Sequence, residues 1–314
     1  MKKARLMAIL VALIVISGCA QMPGRRKEPE PAYRQGSQGI VMRFLPNYPR
    51  SPMYDDQPFD VLLEVRNMGS YDVGFPGDKI YLSGFDNKII TGIPQMGAQI
   101  PKMEGIGPYN PEGGFDTVEF KGTIYPLKLK NIDKYPATIL ATACYGYKTI
   151  ASNNICIDPD PYGATSERKV CVPSAVSFGT QGAPVAVTSV DVDAAPRVTR
   201  FKIQISNAGG GTVLKYGPDY LARCSPYHTR GLEFNEVDSV RLSKVEVAGK
   251  VITPSCKPVD NDGSVRLING QATVFCELVG LGSGPAYQTP LTVELDYSYR
   301  STISKSVEIV QIPG

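Results

Sequence analysis

From Ile40 onward the chain holds no apolar period of 3.6 residues for long without a breaker, and this restricts its fold more than any single motif. Short alternating or β-branched runs recur instead, among them Phe59–Val65, Val185–Val192, Val198–Ile205, Val237–Val247 and Leu291–Tyr297. Turn clusters such as Gly105-Ile106-Gly107-Pro108 and Asp260-Asn261-Asp262-Gly263 separate them. The 31 glycines and 26 prolines are spread along the chain, and beyond Ile40 they supply those breakers. Short strands at this spacing build sandwiches or barrels, so the chain is expected to be all-β. About 275 residues follow Ile40, long for one sandwich and comfortable for two.

An internal repeat sets the number of units. Leu63-Glu64-Val65-Arg66-Asn67-Met68-Gly69 is matched by Gln204-Ile205-Ser206-Asn207-Ala208-Gly209, each an alternating strand running into Asn-x-Gly. Tyr145-Gly146-Tyr147 is matched by Tyr297-Ser298-Tyr299, and each is followed by a serine and then β-branched residues. The offsets, 140 and 152, imply one unit used twice, over 40–160 and 172–314. A linker over 161–171 overlaps the proline-bearing stretch Asp158–Arg168. Asn and Gly tolerate the left-handed backbone with which a strand leaves a sheet, and this is the expected reason for Asn-x-Gly. Each Tyr-x-Tyr is expected to run into a closing hairpin.

A strand ending in Asn-x-Gly, a variable loop and a final Tyr-x-Tyr hairpin resemble the CARDB-like, immunoglobulin-like modules of archaeal and bacterial surface proteins. Met42-Arg43-Phe44-Leu45-Pro46-Asn47, with Ile80-Tyr81-Leu82-Ser83-Gly84-Phe85-Asp86, is similar to segments of archaeal surface lipoproteins. The resemblance implies two tandem immunoglobulin-like β-sandwich domains, an adhesion or spacer role, and no catalytic residues.

The N-terminus says where such a chain goes. Lys2, Lys3 and Arg5 precede an apolar run that ends at Ile16, followed by Ser17-Gly18-Cys19. A positive start, a short apolar core and small residues form an export signal. The run is far short of the roughly 20 residues that span about 30 Å of hydrocarbon. Ile16-Ser17-Gly18-Cys19 resembles the lipobox of prokaryotic lipoproteins. That resemblance implies that residues 1–18 are a signal peptide and that Cys19 carries a diacylglyceryl thioether as the mature N-terminus. Two acyl chains make a stable anchor where one is marginal. Residues 19–39, rich in proline, glycine and charge, read as a flexible tether. The expected location is the outer face of the cytoplasmic membrane, or the outer membrane of a diderm host.

The three N-terminal cations account for the whole net charge of +3, so the remaining chain sums to zero. A basic footprint for nucleic acid is missing. The expected partners are the membrane, through lipid, and a surface protein or glycan.

Cysteine usage fits an oxidising compartment. With Cys19 assigned to lipid, Cys144, Cys156, Cys171, Cys224, Cys256 and Cys276 remain, an even number that reads as three disulfides with 15 possible pairings. If the strand at Tyr145 turns back near Ile150, Cys144 and Cys156 face each other, at positions whose counterparts, Asp296 and Glu308, are expected on the surface. Cys256 with Cys276 would bridge a longer hairpin, leaving Cys171 with Cys224. Cys156 with Cys171, closing the proline linker, is the rival. Spacings of 12, 15, 53, 32 and 20 without C-x-x-C do not resemble a zinc knuckle.

Catalytic patterns fail one by one. His228 is the only histidine, and nothing beside it marks a nucleophile. Gly280-Leu281-Gly282-Ser283-Gly284 misses the G-x-S-x-G spacing, and Gly209-Gly210-Gly211 lacks the Lys-Ser/Thr of a phosphate loop. Asp158-Pro159-Asp160 opens like a calcium loop, but Lys169 stands where the bidentate glutamate belongs. A looser calcium site on Asp158 and Asp160, with Asp191 or Asp193, is the weak alternative to having no metal or other cofactor. The expected role is therefore a non-catalytic binding or structural module. An adaptor subunit of an envelope or secretion assembly is the alternative, and an exported carboxylate-dependent hydrolase a lesser one. Candidate binding loops are Gly92–Gly114, with Met96, Ile100, Met103, Ile106 and Tyr109, and Tyr216–Gly231, with Tyr220 and Tyr227. Apolar side chains in the first loop could instead plug the end of their own sandwich.

Overall fold

The structure, a computed structural model, describes residues 34–127, 133–163, 169–281 and 284–312. The signal segment, Cys19, the tether as far as residue 33 and residues 164–168 of the linker lie outside the described residues. Strand accounts for 52% and helix for 4%, so packed sheets have to supply the core. Ten strands among the described residues are five residues or longer. They are β1 (Ile40–Phe44), β2 (Pro58–Asn67), β3 (Lys79–Ser83), β4 (Phe115–Ile124) and β5 (Lys134–Ile157), then β6 (Val185–Ala195), β7 (Val198–Asn207), β8 (Ser239–Val247), β9 (Gln271–Val279) and β10 (Tyr287–Val310). Among the described residues there is one α-helix, α1, which spans Pro218–Arg223.

Alternation decides which face each strand buries. β2 reads PFDVLLEVRN, with Phe59, Val61, Leu63 and Val65 fully buried and the intervening residues half-exposed. β1, β2 and β4 pair antiparallel in that order, and β6, β7 and β9 repeat the arrangement. The remaining long strands form a central sheet, ordered β8-β10-β5-β3, that serves both sets.

The central sheet departs from the expected hairpins. β5 does not turn back near Ile150. It continues for 24 residues and pairs antiparallel with β10, also 24 residues, from Lys134↔Val310 to Ile157↔Tyr287. The register places Tyr145 against Tyr299, Gly146 against Ser298, and Tyr147 against Tyr297. Because the two Tyr-x-Tyr stretches are repeat equivalents, an approximate twofold axis passes through the Gly146–Ser298 pair. Each strand then crosses to the other half. Beyond Tyr147, the Thr149 hydroxyl donates to Val185 O (2.6 Å) and Asn153 Nδ2 to Ser177 O (2.9 Å). Beyond Tyr299, Ile309 and Val310 pair with Met53 and Tyr54, and Asp55 N donates to Val310 O (3.0 Å). The two halves thus exchange their last strands, and the described residues belong to one compact unit.

Four tyrosines close the crossing point. The rings of Tyr145, Tyr147, Tyr297 and Tyr299 form a cycle with centroids 5.9–6.2 Å apart, in tilted and edge-on contacts favoured by the ring quadrupole. None is more than 2% exposed. Buried phenols need partners. Tyr145 Oη accepts from Ile40 N and Tyr297 Oη from Val185 N, while Tyr147 Oη accepts from Tyr71 N and Tyr299 Oη from Gly211 N. Removing the hydroxyl of Tyr145 or Tyr297 would orphan a buried backbone N–H, that of Ile40 or Val185, at about 1–3 kcal/mol.

The tyrosines also explain Asn-x-Gly. None of Asn67, Gly69, Asn207 and Gly209 has a left-handed φ, which corrects the backbone reason expected from sequence. A Cβ on Gly69 would lie 1.8 Å from Tyr147 Oη, and one on Gly209 2.6 Å from Tyr299 Oη. The glycines are there for close approach. The asparagines hold the following loops, with Asn67 Nδ2 donating to Tyr71 O (2.8 Å) and Asn207 Nδ2 to Gly211 O (2.9 Å).

All six described cysteines are bridged, as Cys144–Cys224, Cys156–Cys171 and Cys256–Cys276. Cys256–Cys276 is the expected pair and Cys156–Cys171 the rival. The pairs Cys144–Cys156 and Cys171–Cys224 are corrected. With β5 unbroken, residues 144 and 156 lie about 40 Å apart along one strand. Cys144 is also fully buried, and Asp296 is only 5% exposed, so neither occupies the surface position expected of it.

Residues 172–314 expressed alone carry one 24-residue strand without its partner. Pairing β10 with a second copy of itself about Ser298 would set Tyr297 of one copy against Tyr299 of the other, in place of the Tyr147–Tyr297 and Tyr145–Tyr299 pairs of the full chain. Light scattering is expected to report a homodimer; a monomer, with the hairpin closed at Ser298, would count against strand exchange as the stable arrangement.

Candidate functional site

The period of two that turns the tyrosine quartet inward turns Gly146, Lys148, Asp296 and Ser298 to the opposite face of the same two strands. There they form the floor of a cleft of about 540 Å³. Its walls are the two loops that leave Asn-x-Gly: Tyr71, Phe75 and Pro76 after Asn67, and Tyr216, Gly217 and Pro218 after Asn207. The repeat therefore supplies one wall from each half.

The floor is a row of charge across three strands. Register places Arg241 (β8) opposite Asp296 (β10), and Asp296 opposite Lys148 (β5). Arg241 Nη2 lies 2.6 Å from Asp296 Oδ2, and Lys148 Nζ lies 3.3 Å from Asp296 Oδ1 and 3.2 Å from Glu294. Burial works against the Lys148 charge, but Asp296 and Glu294 outweigh it and hold its pKa above the usual lysine value. The Arg241 guanidinium lies 4.1 Å from the centroid of the Tyr216 ring. Burial raises the pKa of the Tyr71 phenol. Tyr71 and Phe75 are in tilted contact at 6.1 Å, and Phe75 and Tyr216 are each 41% exposed.

Asp78 fixes the first wall to the floor. Its Oδ2 accepts from Gly74 N and Phe75 N, and its Oδ1 from Gly146 N, each at 2.9 Å. Burial pushes its carboxyl up, against the lowering effect of those three donors. The loop Gly92–Gly114 supports this wall from behind. Val73 and Met103 exchange backbone hydrogen bonds, and Ile100 N donates to Asp78 O.

The second wall is pinned by Cys144–Cys224, which ties the end of α1 to β5 beneath it, with Leu221, Leu214 and Tyr81 packed alongside. Arg223 of α1, with its side chain 3% exposed, forms two hydrogen bonds with Glu236. These bonds pull the Glu236 carboxyl down to about 2.

The sequence candidates distribute unevenly. Ile100 and Met103 are core residues and Ile106 is half-buried, so the first loop largely plugs its own end of the structure. Met96 and Tyr109 remain exposed, at 77% and 100%. Met96 and Tyr227 line a second groove of about 450 Å³ on the other side of α1, with Tyr81 and His228. Tyr220 lies on α1 itself, 5.2 Å from the Arg223 guanidinium. Of the calcium candidates, Asp158 is paired with Lys169, whose Nζ donates to Asp158 Oδ2 (2.7 Å) and Asp160 O (2.8 Å). Asp191 and Asp193 face Lys202 and Arg200 instead.

Tyr216 fell within a candidate loop, but Tyr71, Phe75, Lys148, Arg241 and Asp296 did not. For Tyr71 and Phe75 the sequence signal is placement after Asn67, and for Lys148 and Asp296 placement beside a Tyr-x-Tyr; Arg241, inside the Val237–Val247 run, carries no such signal. No protein-family model and no curated protein matches the chain.

Cys144→Ser with Cys224→Ser removes a bridge across 80 residues. A loss of about 2–5 kcal/mol in chemical denaturation is expected, with α1 becoming accessible to protease before the sheets unfold. Glu236→Gln tests the ion pair. The folded carboxyl is depressed from 4.5 to about 2, so its stabilisation is full above pH 4.5 and fades as pH falls through about 2. The variant is expected to melt below the wild-type chain at pH 7, and the gap to close near pH 2.

Proposed function

We propose that this chain is an exported lipoprotein, held to the membrane through a diacylglyceryl group on Cys19, whose folded part is a non-catalytic binding module. Its two halves are read as immunoglobulin-like, CARDB-like sandwiches over 40–160 and 172–314 that have exchanged their last strands. The central cleft is the binding site, facing a surface protein or glycan. The observation that carries this reading is the cleft itself. Its floor lies on the longest strands, its two walls come from equivalent loops, and hydrogen bonds to Asp78 or a disulfide hold each wall. Pre-organisation of this kind lowers the entropic cost of capture. Three disulfides are compatible with an oxidising, extracytoplasmic setting. The tether over 19–39 would carry the cleft clear of the headgroups.

Intact mass of the protein extracted from its native membrane tests the anchor and the compartment together. The expected mass is that of residues 19–314 plus a diacylglyceryl group, rising by about 6 Da on reduction. Cys19→Ser is expected to move the protein into the soluble fraction. An unlipidated wild-type mass, or free thiols downstream, would overturn the reading.

A further inference from the structure

We infer that the central cleft is a saccharide site, taking the neutral end of a short glycan chain. The inference rests on the binding-module reading above and names the ligand class. Three features of the cleft point the same way.

The first is charge. Asp296 already sits between Arg241 and Lys148, and Lys148 is shared with Glu294. A free anion entering the cleft meets Asp296 and the buried Asp78, and a free cation meets Arg241 and Lys148. Either must break an existing pair. A hydroxyl is different, because it both donates and accepts. Asp296 keeps acceptor capacity on both oxygens, and Lys148 keeps a third proton beyond its two carboxylate contacts. Adjacent hydroxyls on one ring can bridge that carboxylate and that ammonium without separating them.

The second is the walls. Tyr71, Phe75 and Tyr216 offer ring surface above a polar floor, the combination that a pyranose, with one C–H face and a rim of hydroxyls, would satisfy. The Tyr216 ring is braced by Arg241 on one side, so it meets a ligand already oriented. The third is shape. The volume of about 540 Å³ lies within the range of about 300–1,000 Å³ typical of small-molecule sites. The cleft is partly open to solvent, which lets a chain end enter while the remainder stays in solvent.

Saturation-transfer NMR and calorimetry on the full folded chain test this, with neutral trisaccharides built from glucose, galactose, mannose or N-acetylglucosamine as probes. Glucuronate-containing and glucosamine-containing trisaccharides serve as the charged comparison. Saturation transfer to at least one neutral trisaccharide is expected, with affinity falling about tenfold in Tyr216→Ala and in Asp296→Asn. The melting temperature of each variant is read alongside, and Tyr162→Ala, an exposed tyrosine outside the cleft, is expected to bind as the wild-type chain does. Transfer only to charged sugars, transfer to none, or transfer unchanged in both cleft variants would overturn the saccharide assignment. A photo-crosslinker at position 216 in intact cells separates that failure from failure of the underlying reading. A protein adduct with silent sugars removes the saccharide and keeps the binding module, whereas no adduct and no sugar removes both.

Discussion

The antiparallel pairing of β5 with β10 carries everything else in the structure. It runs over all 24 residues of each strand, and neither half is closed without the end of the other. An ordinary hairpin at Tyr145–Tyr147 or Tyr297–Tyr299 would complete each half by itself. Extending both strands instead makes the central sheet continuous and turns two repeats into one cooperative body. Strand exchange of this kind replaces one set of contacts with an equivalent set, so its local cost is small, and linkage within one chain removes the concentration dependence that exchange between molecules carries.

The crossing point is where the sequence is spent most heavily on one task. Four tyrosines bury their rings together and place four hydroxyls against the starts of β1 and β6 and the loops after Asn67 and Asn207. Two glycines make way for two of those hydroxyls. The inward face of Tyr-x-Tyr thus fixes the position of the loops that wall the cleft on the outward face. Rigidity and site share one set of residues.

Approximate symmetry is broken where function would require it. Cys144 and Asp296 are repeat equivalents on the outward face of the central sheet. Over Cys144 the insertion carrying α1 folds down and is fastened by Cys224, so that side is closed. At Asp296 the same face is left open between two loops and becomes the cleft floor. The buried Arg223–Glu236 pair shapes the closing insertion, and its geometry rather than its net energy is what the wall depends on.

The all-β class was legible from alternation, and the repeat from Asn-x-Gly and Tyr-x-Tyr, because both are local patterns that a strand imposes on its own residues. Cys256–Cys276 was legible because its cysteines flank one turn cluster. The cleft was not. Lys148, Arg241 and Asp296 lie far apart in sequence and meet only because β8, β10 and β5 pair in one register. The same holds for Cys144–Cys224, which joins a strand of one half to an insertion in the other. What the sequence determined by itself was strand periodicity, the recurrence of Asn-x-Gly and Tyr-x-Tyr, and six cysteines from Cys144 to Cys276 available for pairing. Whether each Tyr-x-Tyr turns back or runs on was decided by tertiary structure. Either path satisfies the same backbone hydrogen bonds and the same alternation, and only the packing of all four tyrosines at one crossing point distinguishes them.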